Sequence, residues 1–330
     1  MDNPRAVPDR SGLKVVITGA SSGIGEATAV AFAREGASLV LAARDAKALE
    51  AVAKSCRDAG GHALVVATDV GDAAAVRRLA QEAVGFAGRI DVWVSNVGTG
   101  AVGAFHETPI EAHEQVIRAN LIGHMNDAHA ALPIFISQRK GVFINMISLG
   151  GFAPAPFAAA YSASKFGLRG FSEALRAELV DHPGIHVCDI YPAFVDTPGI
   201  GHGANYTGRQ LSAPPPLLDA RTVAAAIVGL AHRPKPTTMV GAVTGLVRLG
   251  HFLSPRLSGW LMSRFLTSYF RDAPPAAQTT GNLFRPPAIP GGIDGGLRSP
   301  DQRRAVTVTL AVLGGLFLAA VAAGAAQARR

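Results

Sequence analysis

A tyrosine and a lysine four positions apart, Tyr161 and Lys165, are the residues with the clearest chemical meaning in this sequence. On a helix they lie one turn apart, so both side chains can reach the same point. A phenol with an ordinary pKa of about 10 is a poor proton donor or base at neutral pH unless a nearby cation stabilises its phenolate. Lys165 can supply that charge, and the hydroxyl of Ser148, at the end of a predicted strand, can hydrogen-bond a substrate oxygen. Together the three residues predict proton transfer at a substrate oxygen.

A glycine-rich turn follows the first predicted strand and precedes a helical stretch that starts near Glu26. Its glycines, Gly19, Gly23 and Gly25, let the backbone turn sharply and approach a pyrophosphate, whose charge is met by N–H groups at the helix start. Such a turn by itself is weak evidence, but its position between a strand and a helix makes it specific. The sequence therefore predicts a dinucleotide site.

The end of the second predicted strand indicates which dinucleotide is preferred. Dehydrogenases that use NAD usually place an acid there to hold the ribose hydroxyls, whereas this chain has Arg44. A guanidinium suits a 2′-phosphate, so NADP(H) is the predicted cofactor, with NAD(H) as the alternative and Ser22 as a second phosphate contact. Asp45 is expected to cap the next helix.

Positioning these groups requires an α/β fold. From residue 14 to about residue 195, short β-branched runs alternate with Ala-rich helical stretches, which is typical of a parallel sheet covered on both faces. The sequence predicts a Rossmann-type doubly wound sheet of about seven strands, at residues 14–18, 38–43, 63–67, 91–95, 141–147, 185–190 and 237–240.

The chain divides into five predicted parts. Residues 1–12 are polar and lack the pattern of a secretory signal. Within the catalytic domain, residues 199–216 are predicted to form a loop that covers the site. Residues 246–271 mix large apolar groups with arginines, which suits a helix on a membrane surface or a helix packed on the core. The predicted parts are an N-terminal segment 1–12, a catalytic domain 13–245, an amphipathic segment 246–271, a Pro/Gly-rich linker or irregular wrap 272–302, and an anchor 303–330.

The last part contains a long uncharged run. Ala305 to Ala326 is uninterrupted by charge and bracketed by arginines, and as a helix it would span roughly 33 Å, enough for the hydrocarbon layer of a membrane. We expect a single-pass carboxyl-terminal transmembrane helix that leaves the catalytic domain in the cytoplasm; a buried helix is the alternative.

Composition narrows the function classes. Hydrophobic residues make up 48% and charged residues 17% of the chain, which argues against general disorder. The net charge of +7 is not organised into a basic run, so nucleic-acid binding is not expected. Cys56 and Cys188 are the only cysteines, which excludes a disulfide framework or a zinc ribbon. The histidines lack metal-binding spacing, and no metal is expected.

In this combination of motifs the chain resembles the classical short-chain dehydrogenase/reductase family, over residues 13–241. The resemblance implies that Tyr161 is the acid/base, that Lys165 lowers the pKa of Tyr161 and binds the ribose, that Ser148 orients the substrate and that Asn120 holds a water in a proton relay. It also implies that Asp69 lies at the adenine, Asn96 beside the adenosine ribose and Thr197 near the nicotinamide carboxamide and phosphates. The complete predicted cofactor set is Gly19, Ser21, Ser22, Gly23, Ile24, Gly25, Arg44, Asp69, Val70, Asn96, Gly98, Tyr161, Lys165, Pro192 and Thr197.

Four positions depart from the family pattern without removing a catalytic group. Ser95 and Val97 replace the first Asn and the Ala of the usual Asn-Asn-Ala-Gly, Ala193 replaces the Gly of Pro-Gly, and Ile147 replaces the first of two serines. We expect interconversion of a carbonyl and a secondary alcohol on a lipophilic substrate by a homo-oligomeric enzyme. The alternatives are dehydration or epimerisation on the same fold, and a non-catalytic membrane scaffold that binds NADP(H).

Overall fold

The computed structural model describes residues 12–213, 216–287 and 291–297 of the chain. In chain order the strands are β1 (Lys14–Thr18), β2 (Ser38–Ala43), β3 (His62–Ala67), β4 (Val92–Ser95), β5 (Ala101–Val102), β6 (Gly141–Met146), β7 (Ile185–Pro192), β8 (Val195–Asp196), β9 (Ala204–Asn205), β10 (Leu218–Asp219) and β11 (Thr237–Val240). The helices are α1 (Gly23–Arg34), α2 (Ala46–Asp58), α3 (Ala73–Ala87), α4 (Ile110–Ile117), α5 (Gly123–Gln138), α6 (Ala159–Glu178), α7 (Gly199–His202), α8 (Ala220–His232), α9 (Ala242–Leu253) and α10 (Pro255–Asp272). A π-helical turn, Arg118–Ile122, joins α4 to α5, and a 3-10 turn, Leu149–Gly151, follows β6.

Seven parallel strands form the main sheet in the order β11-β7-β6-β4-β1-β2-β3. The chain starts in the middle at β1, moves outward to β3, and then returns to build the other half from β4. The strand order therefore reverses between β1 and β4, and in open parallel sheets ligands bind at the carboxyl ends of the strands at this reversal.

The core lies on both faces of this sheet. Val15 and Ile17 of β1 pack in a buried cluster with residues of α1, α2 and α8, whereas Val16 packs in a second cluster with residues of α3 and α5. Because successive side chains of a strand point to opposite faces, a strand covered on both sides must be apolar throughout. This requirement explains the short β-branched runs in the sequence.

The predicted doubly wound sheet is confirmed, and the seven predicted strands agree with the observed bounds to within two residues. The predicted helix cap is also confirmed, because the Asp45 carboxylate accepts a hydrogen bond from the Ala48 N–H at 3.0 Å. The prediction of a loop over residues 199–216 was wrong in part. The short helix α7 and the two-residue strand β9 lie in that range.

The range 246–271 forms two helices rather than one, because the chain breaks at Ser254 and α10 begins at Pro255. No residue of α10 is buried. Within the described ranges, no helix is long and apolar enough to cross a membrane. The predicted transmembrane helix in residues 303–330 lies outside the described residues.

Candidate active site

The glycine turn between β1 and α1 has the shape that its sequence predicts. Gly19 and Gly23 have positive φ angles of 68° and 56°, a conformation that costs glycine little. A Cβ at Gly25 would lie 2.1 Å from the Gly19 carbonyl oxygen, so a side chain there would force the turn open. The turn is held from β4 by Asn96, whose Nδ2 donates to the Gly19 carbonyl at 3.1 Å.

Ser148 stands at the carboxyl end of β6 in a strained backbone conformation. Its φ of 142° and ψ of 164° lie in a region that residues with a side chain rarely adopt. The Ser148 Oγ accepts a hydrogen bond from the Gly150 N–H at 3.2 Å and is also hydrogen-bonded to the Tyr161 phenol. Strain of this kind persists only where the surrounding structure holds it, and here it places a hydroxyl against the phenol.

Tyr161 and Lys165 lie one turn apart on α6, as their spacing predicts. The Lys165 Nζ is 5.7 Å from the centroid of the Tyr161 ring and donates to the Met146 carbonyl at 3.0 Å. The structure therefore brings Ser148, Tyr161 and Lys165 together at one end of the sheet, beside the strand reversal. A proton donor, a hydroxyl and an amine are thus within one small region.

Burial dominates the electrostatics of this pair. The Lys165 side chain is 2% exposed, and the loss of water lowers its pKa to about 7. Burial also raises the pKa of Tyr161, and the Ser148 hydrogen bond lowers it by a smaller amount. From the sequence, Lys165 is expected to lower the pKa of the phenol. The direction differs in this structure because a buried amine favours its neutral form and its Nζ is bonded to the Met146 carbonyl instead of the phenol.

Asn120 is fully buried in the π-helical turn. Its Oδ1 accepts from the Thr99 N–H at 2.9 Å, and its Nδ2 donates to the Thr99 carbonyl at 2.9 Å and to the Ser164 Oγ at 3.2 Å. The amide thus ties the loop after β4 to α6 beside Tyr161. Its role as a water holder stays a prediction.

Two buried residues of α5 support the site, although neither was among the predicted site residues. Asp127 accepts hydrogen bonds from Thr18 Oγ1 and Ser95 Oγ, both at 2.7 Å, and burial raises its pKa to about 7. These contacts tie the ends of β1 and β4 together. Ser95, which departs from the family pattern, thus has Asp127 as its hydrogen-bond acceptor. An aspartate among alanines of a core-facing helix was the signal that could have found it.

His124 is the second of these residues. Its Nε2 is 2.7 Å from the Val97 carbonyl, and its Nδ1 is hydrogen-bonded to Asn145 Oδ1. Burial lowers the pKa of His124 to about 4, and its contacts with Val97 and Asn145 oppose that shift. It fixes the loop after β4 against β6.

The other predicted cofactor residues lie along the same edge of the sheet. Asp69 is exposed and its Oδ1 accepts from the Gly71 N–H at 2.8 Å, and Pro192 ends β7. Thr197 packs on the glycine turn, since a Cβ at Gly23 would be 3.1 Å from the Thr197 Cβ. Ser21 and Ser22 lie in the glycine turn, Ile24 lies in the first turn of α1, and Val70 and Gly98 lie in the loops that follow β3 and β4.

Arg44 is positioned at the end of β2, but its guanidinium is already bonded. It donates to the backbone carbonyls of Leu283 at 3.0 Å, Arg285 at 3.4 Å and Asn282. These carbonyls belong to a stretch that runs over the site and that we call the covering segment (residues 273–287 and 291–297). The covering segment also reaches the glycine turn, where the Gly292 carbonyl accepts from the Gly23 N–H at 2.8 Å.

An apolar cluster surrounds Tyr161. Leu283 of the covering segment is 1% exposed there, and the buried members of the cluster come from β5, β9, α4 and α6. The partly buried Tyr161 and Tyr206 pack against them. The environment of the phenol is therefore mostly hydrocarbon.

The groups beneath the covering segment suit a nicotinamide dinucleotide. The backbone of the turn is tightly packed at Gly19 and Gly25, which allows close approach by a ligand. N–H groups lie at the start of α1, and the Arg44 guanidinium lies at the end of β2. These are the groups that bind phosphates and ribose in this fold class.

Known proteins are similar to this chain in sequence. The short chain dehydrogenase family model matches residues 13–202. YxnA, an uncharacterized oxidoreductase of Bacillus subtilis, is 32% identical over 260 residues, which are 76% of this chain and 72% of that protein. Dehydrogenase/reductase SDR family member 7 of Mus musculus is 35% identical over 187 residues, which are 56% of this chain and 55% of that protein.

Two solved structures are also similar to this chain. The alcohol dehydrogenase of the archaeon Thermococcus sibiricus, complexed with 5-hydroxy-NADP, has a TM-score of 0.62 at 26% identity and covers 70% of this chain and 96% of its own. A metagenomic short-chain oxidoreductase in complex with NADP has a TM-score of 0.60 at 30% identity, covering 70% of this chain and 98% of its own. This chain therefore belongs to the short-chain dehydrogenase/reductase family of NAD(P)-dependent oxidoreductases.

Proposed function

We propose that this protein interconverts a carbonyl and a secondary alcohol on a lipophilic substrate, with NADP(H) as its cofactor. The observation that carries the proposal is the meeting of Ser148, Tyr161 and Lys165 beside the glycine turn at the strand reversal. A phenol, a hydroxyl and an amine next to a dinucleotide site are the groups that this reaction requires.

Each side chain has a distinct task. The Ser148 hydroxyl hydrogen-bonds the substrate oxygen and holds it near the phenol. Tyr161 gives its proton to that oxygen in the reducing direction and takes it back in the oxidising direction. Lys165, when protonated, stabilises the phenolate that remains. The bound nicotinamide supplies or accepts the hydride at the substrate carbon.

Arg44 supports the preference for NADP(H). A guanidinium at the end of β2 offers charge-assisted hydrogen bonds to a 2′-phosphate, whereas no acid occupies that position to hold the ribose hydroxyls of NAD(H). The two solved relatives described above were determined with NADP or 5-hydroxy-NADP. This supports the same preference here.

The apolar cluster around Tyr161 supports a lipophilic substrate. Buried side chains such as Leu283 and Ala204 surround the phenol, and removing hydrocarbon from water stabilises binding by about 25 cal/mol per Å² of buried surface. A small, highly hydroxylated substrate would lose hydration there without gaining matching hydrogen bonds.

The decisive experiment is NADPH consumption by purified protein on a panel of steroid, retinoid, long-chain acyl and small polar carbonyl compounds. We expect turnover of lipophilic ketones or aldehydes, and a loss of 10²-fold or more in Tyr161→Phe. Tyr269→Phe, which removes a hydroxyl from α10, is the matched control and should retain activity. Turnover confined to sugars or small polar ketones would refute the substrate class, and NADPH binding without turnover would favour a scaffold.

We also propose that α9 and α10 contact a membrane surface. Phe252 and Leu253 are 80% and 71% exposed, and Arg248, Arg256 and Arg264 lie among the apolar residues. This combination of apolar groups and arginines complements anionic lipid headgroups over an acyl layer. The exposed large apolar residues of the two helices are Leu246, Leu249, Phe252, Leu253, Leu257, Trp260, Leu261 and Phe265.

The same helices pack beside the active site. The Arg248 guanidinium lies 4.8 Å from the centroid of the Phe152 ring, and Phe157 and Phe270 meet edge to face at 5.5 Å. Phe152 and Phe157 belong to the loop that follows Ser148. A lipid surface at α9 and α10 would therefore lie next to the substrate entrance.

Vesicle sedimentation tests this contact. Protein that lacks residues 303–330 should bind vesicles containing phosphatidylglycerol better than pure phosphatidylcholine vesicles. Replacing Phe252 and Leu253 by serine should reduce binding about tenfold or more, whereas Val180→Ser, which changes a residue 75% exposed just after α6, should not. Comparing the full chain with the shortened chain tests the proposed single-pass anchor in residues 303–330 and the cytoplasmic placement that follows from it.

A further inference from the structure

The covering segment bonds to two of the groups that the proposed cofactor needs. We propose that residues 291–297 close over the glycine turn in the cofactor-free protein and compete with the dinucleotide phosphates for the start of α1. The inference rests on the proposed binding of NADP(H) to this site. It adds that the chain carries its own competitor for that site.

Gly292 carries the central contact. Its carbonyl accepts from the Gly23 N–H at 2.8 Å, and its own N–H is hydrogen-bonded to the Glu26 carboxylate. Gly23 is the first residue of α1, and its N–H is one of the donors that a helix start leaves for an anion. A carbonyl oxygen thus occupies a donor that a phosphate oxygen would use.

The neighbouring residues lie equally close to the turn. A Cβ at Gly291 would be 2.9 Å from the Ser21 carbonyl oxygen and 3.3 Å from the Ser22 Cβ. A Cβ at Gly295 would be 2.5 Å from the Thr197 carbonyl oxygen. The segment therefore lies in direct contact with the turn and with Thr197, which leaves no layer of space between them for a phosphate group.

Backbone carbonyls also take the place of a phosphate at Arg44, at the other end of the site. Three backbone carbonyls surround its guanidinium, as described above. Carbonyl oxygens bear partial negative charge and satisfy guanidinium N–H groups in the directions a phosphate would use. Both predicted phosphate contacts are thus satisfied by oxygens from one stretch of chain.

The two parts of the covering segment are held differently. Leu283 is buried in the apolar cluster, and the Asn282 N–H donates to the His202 carbonyl at 2.8 Å. In residues 291–297 the partly buried Ile293 packs against the main core, and the other contacts are polar and near the surface. The strongest is a bidentate pair in which the two guanidinium nitrogens Nη1 and Nη2 of Arg221 donate to the Asp294 carboxylate, both at 2.8 Å. The outer part can therefore detach while Leu283 stays in place.

Breaking this ion pair from either side separates competition from a simple charge effect. Asp294→Asn removes a negative charge near the phosphate site, and Arg221→Gln removes a positive one. If charge alone mattered, the first variant would bind NADPH more tightly and the second more weakly. If the segment competes, both variants should bind more tightly, by about two- to fivefold for a pair this exposed.

The measurement is a fluorescence titration of NADPH without substrate, so it does not depend on activity. Asp58→Asn, which breaks the exposed pair of Lys54 and Asp58 on α2, is the matched control and should leave the Kd unchanged. Weaker binding by Arg221→Gln, or an unchanged Kd in both variants, would overturn the competition. If neither the wild type nor any variant binds NADPH or NADH, the proposed cofactor is wrong instead.

A reversible crosslink gives an independent test. The 3.3 Å between the Ser22 Cβ and a Cβ built at Gly291 is close to the Cβ separation of a disulfide, about 3.5–4.5 Å, and the segment needs only a small shift to clear the Ser21 carbonyl. In Ser22→Cys with Gly291→Cys, oxidation should weaken NADPH binding at least tenfold, and reductant should restore it. Each single variant under the same oxidant is the control, and both native cysteines are buried. Equal NADPH affinity of the oxidised and reduced double variant, after mass spectrometry has shown the bond, would refute the proposal.

Discussion

Replacing Lys165 by methionine is expected to stabilise the fold at neutral pH while it removes the amine that the proposed chemistry needs. The Lys165 amine is almost completely buried, its Nζ donates to the Met146 carbonyl, and burial lowers its pKa to about 7 from an ordinary 10.5. A buried group whose charged form is disfavoured destabilises the folded state wherever the unfolded chain holds the proton. Methionine has a similar length and no charge to desolvate.

The size of the effect depends on pH. The difference between the two pKa values corresponds to ~5 kcal/mol, which applies in full below pH 7. Between pH 7 and pH 10.5 the unfolded chain still holds the proton but the folded protein releases it, so the wild type gains stability as the pH rises. The stability advantage of Lys165→Met should therefore shrink by about 3 kcal/mol between pH 6 and pH 9.

Urea unfolding of both proteins at pH 6, 7, 8 and 9, without cofactor, measures this difference. The lost hydrogen bond to Met146 lowers the advantage by about 1–3 kcal/mol at every pH, so the slope against pH is the informative quantity. Lys47→Met, which changes an exposed lysine on α2, controls for the loss of a lysine. A stability difference between Lys165→Met and wild type that does not change with pH would refute the reasoning.

Asp127→Asn should show the opposite pH dependence. Because the pKa of Asp127 rises from 3.8 to about 7 on folding, the wild type loses stability as the pH rises through that window. In urea unfolding the stability advantage of the variant should grow by about 3 kcal/mol between pH 4.5 and pH 7.5, and a constant difference would contradict this. Ser148→Gly and Ser148→Ala should lose turnover equally, about 10²-fold. The free energy of unfolding of Ser148→Gly should nevertheless be about 1 kcal/mol higher than that of Ser148→Ala, because glycine relieves the strain of the positive φ. Equal unfolding midpoints of the two variants would argue against strain. Arg44→Ala should raise the Kd for NADPH about tenfold or more and that for NADH much less, because only the former has a 2′-phosphate; equal changes in the two titrations would remove Arg44 from cofactor selection.

Much of this fold could be predicted from the sequence because its strands are buried on both faces. Such strands are short β-branched runs between polar turns, and Lys14–Thr18 and Ser38–Ala43 were predicted to the residue. The meeting of Tyr161, Lys165 and Ser148 could also be predicted, because a helical turn sets the first pair and the common edge of a parallel sheet brings in the third.

The covering segment could not be predicted in the same way. It has no periodicity, and its contacts join residues far apart in the chain, such as Arg44 and Leu283. The bonds of Lys165 were also out of reach, because spacing sets which face of a helix a residue occupies but not which acceptor its Nζ selects after burial. Asp127 pairs with strand ends more than thirty positions away along the chain.

The π-helical turn at Arg118–Ile122 has a consequence for how this region can vary. A π-helical turn amounts to one extra residue in an α-helix, and each residue turns the helix by about 100°. Deleting one residue there would rotate α5 against α4 and carry His124 and Asp127 away from the strands that they join. Apart from the buried and hydrogen-bonded Asn120, we therefore expect this stretch to accept changes of residue type but no change of length, and a deletion scan across it should find a sharp loss of soluble protein.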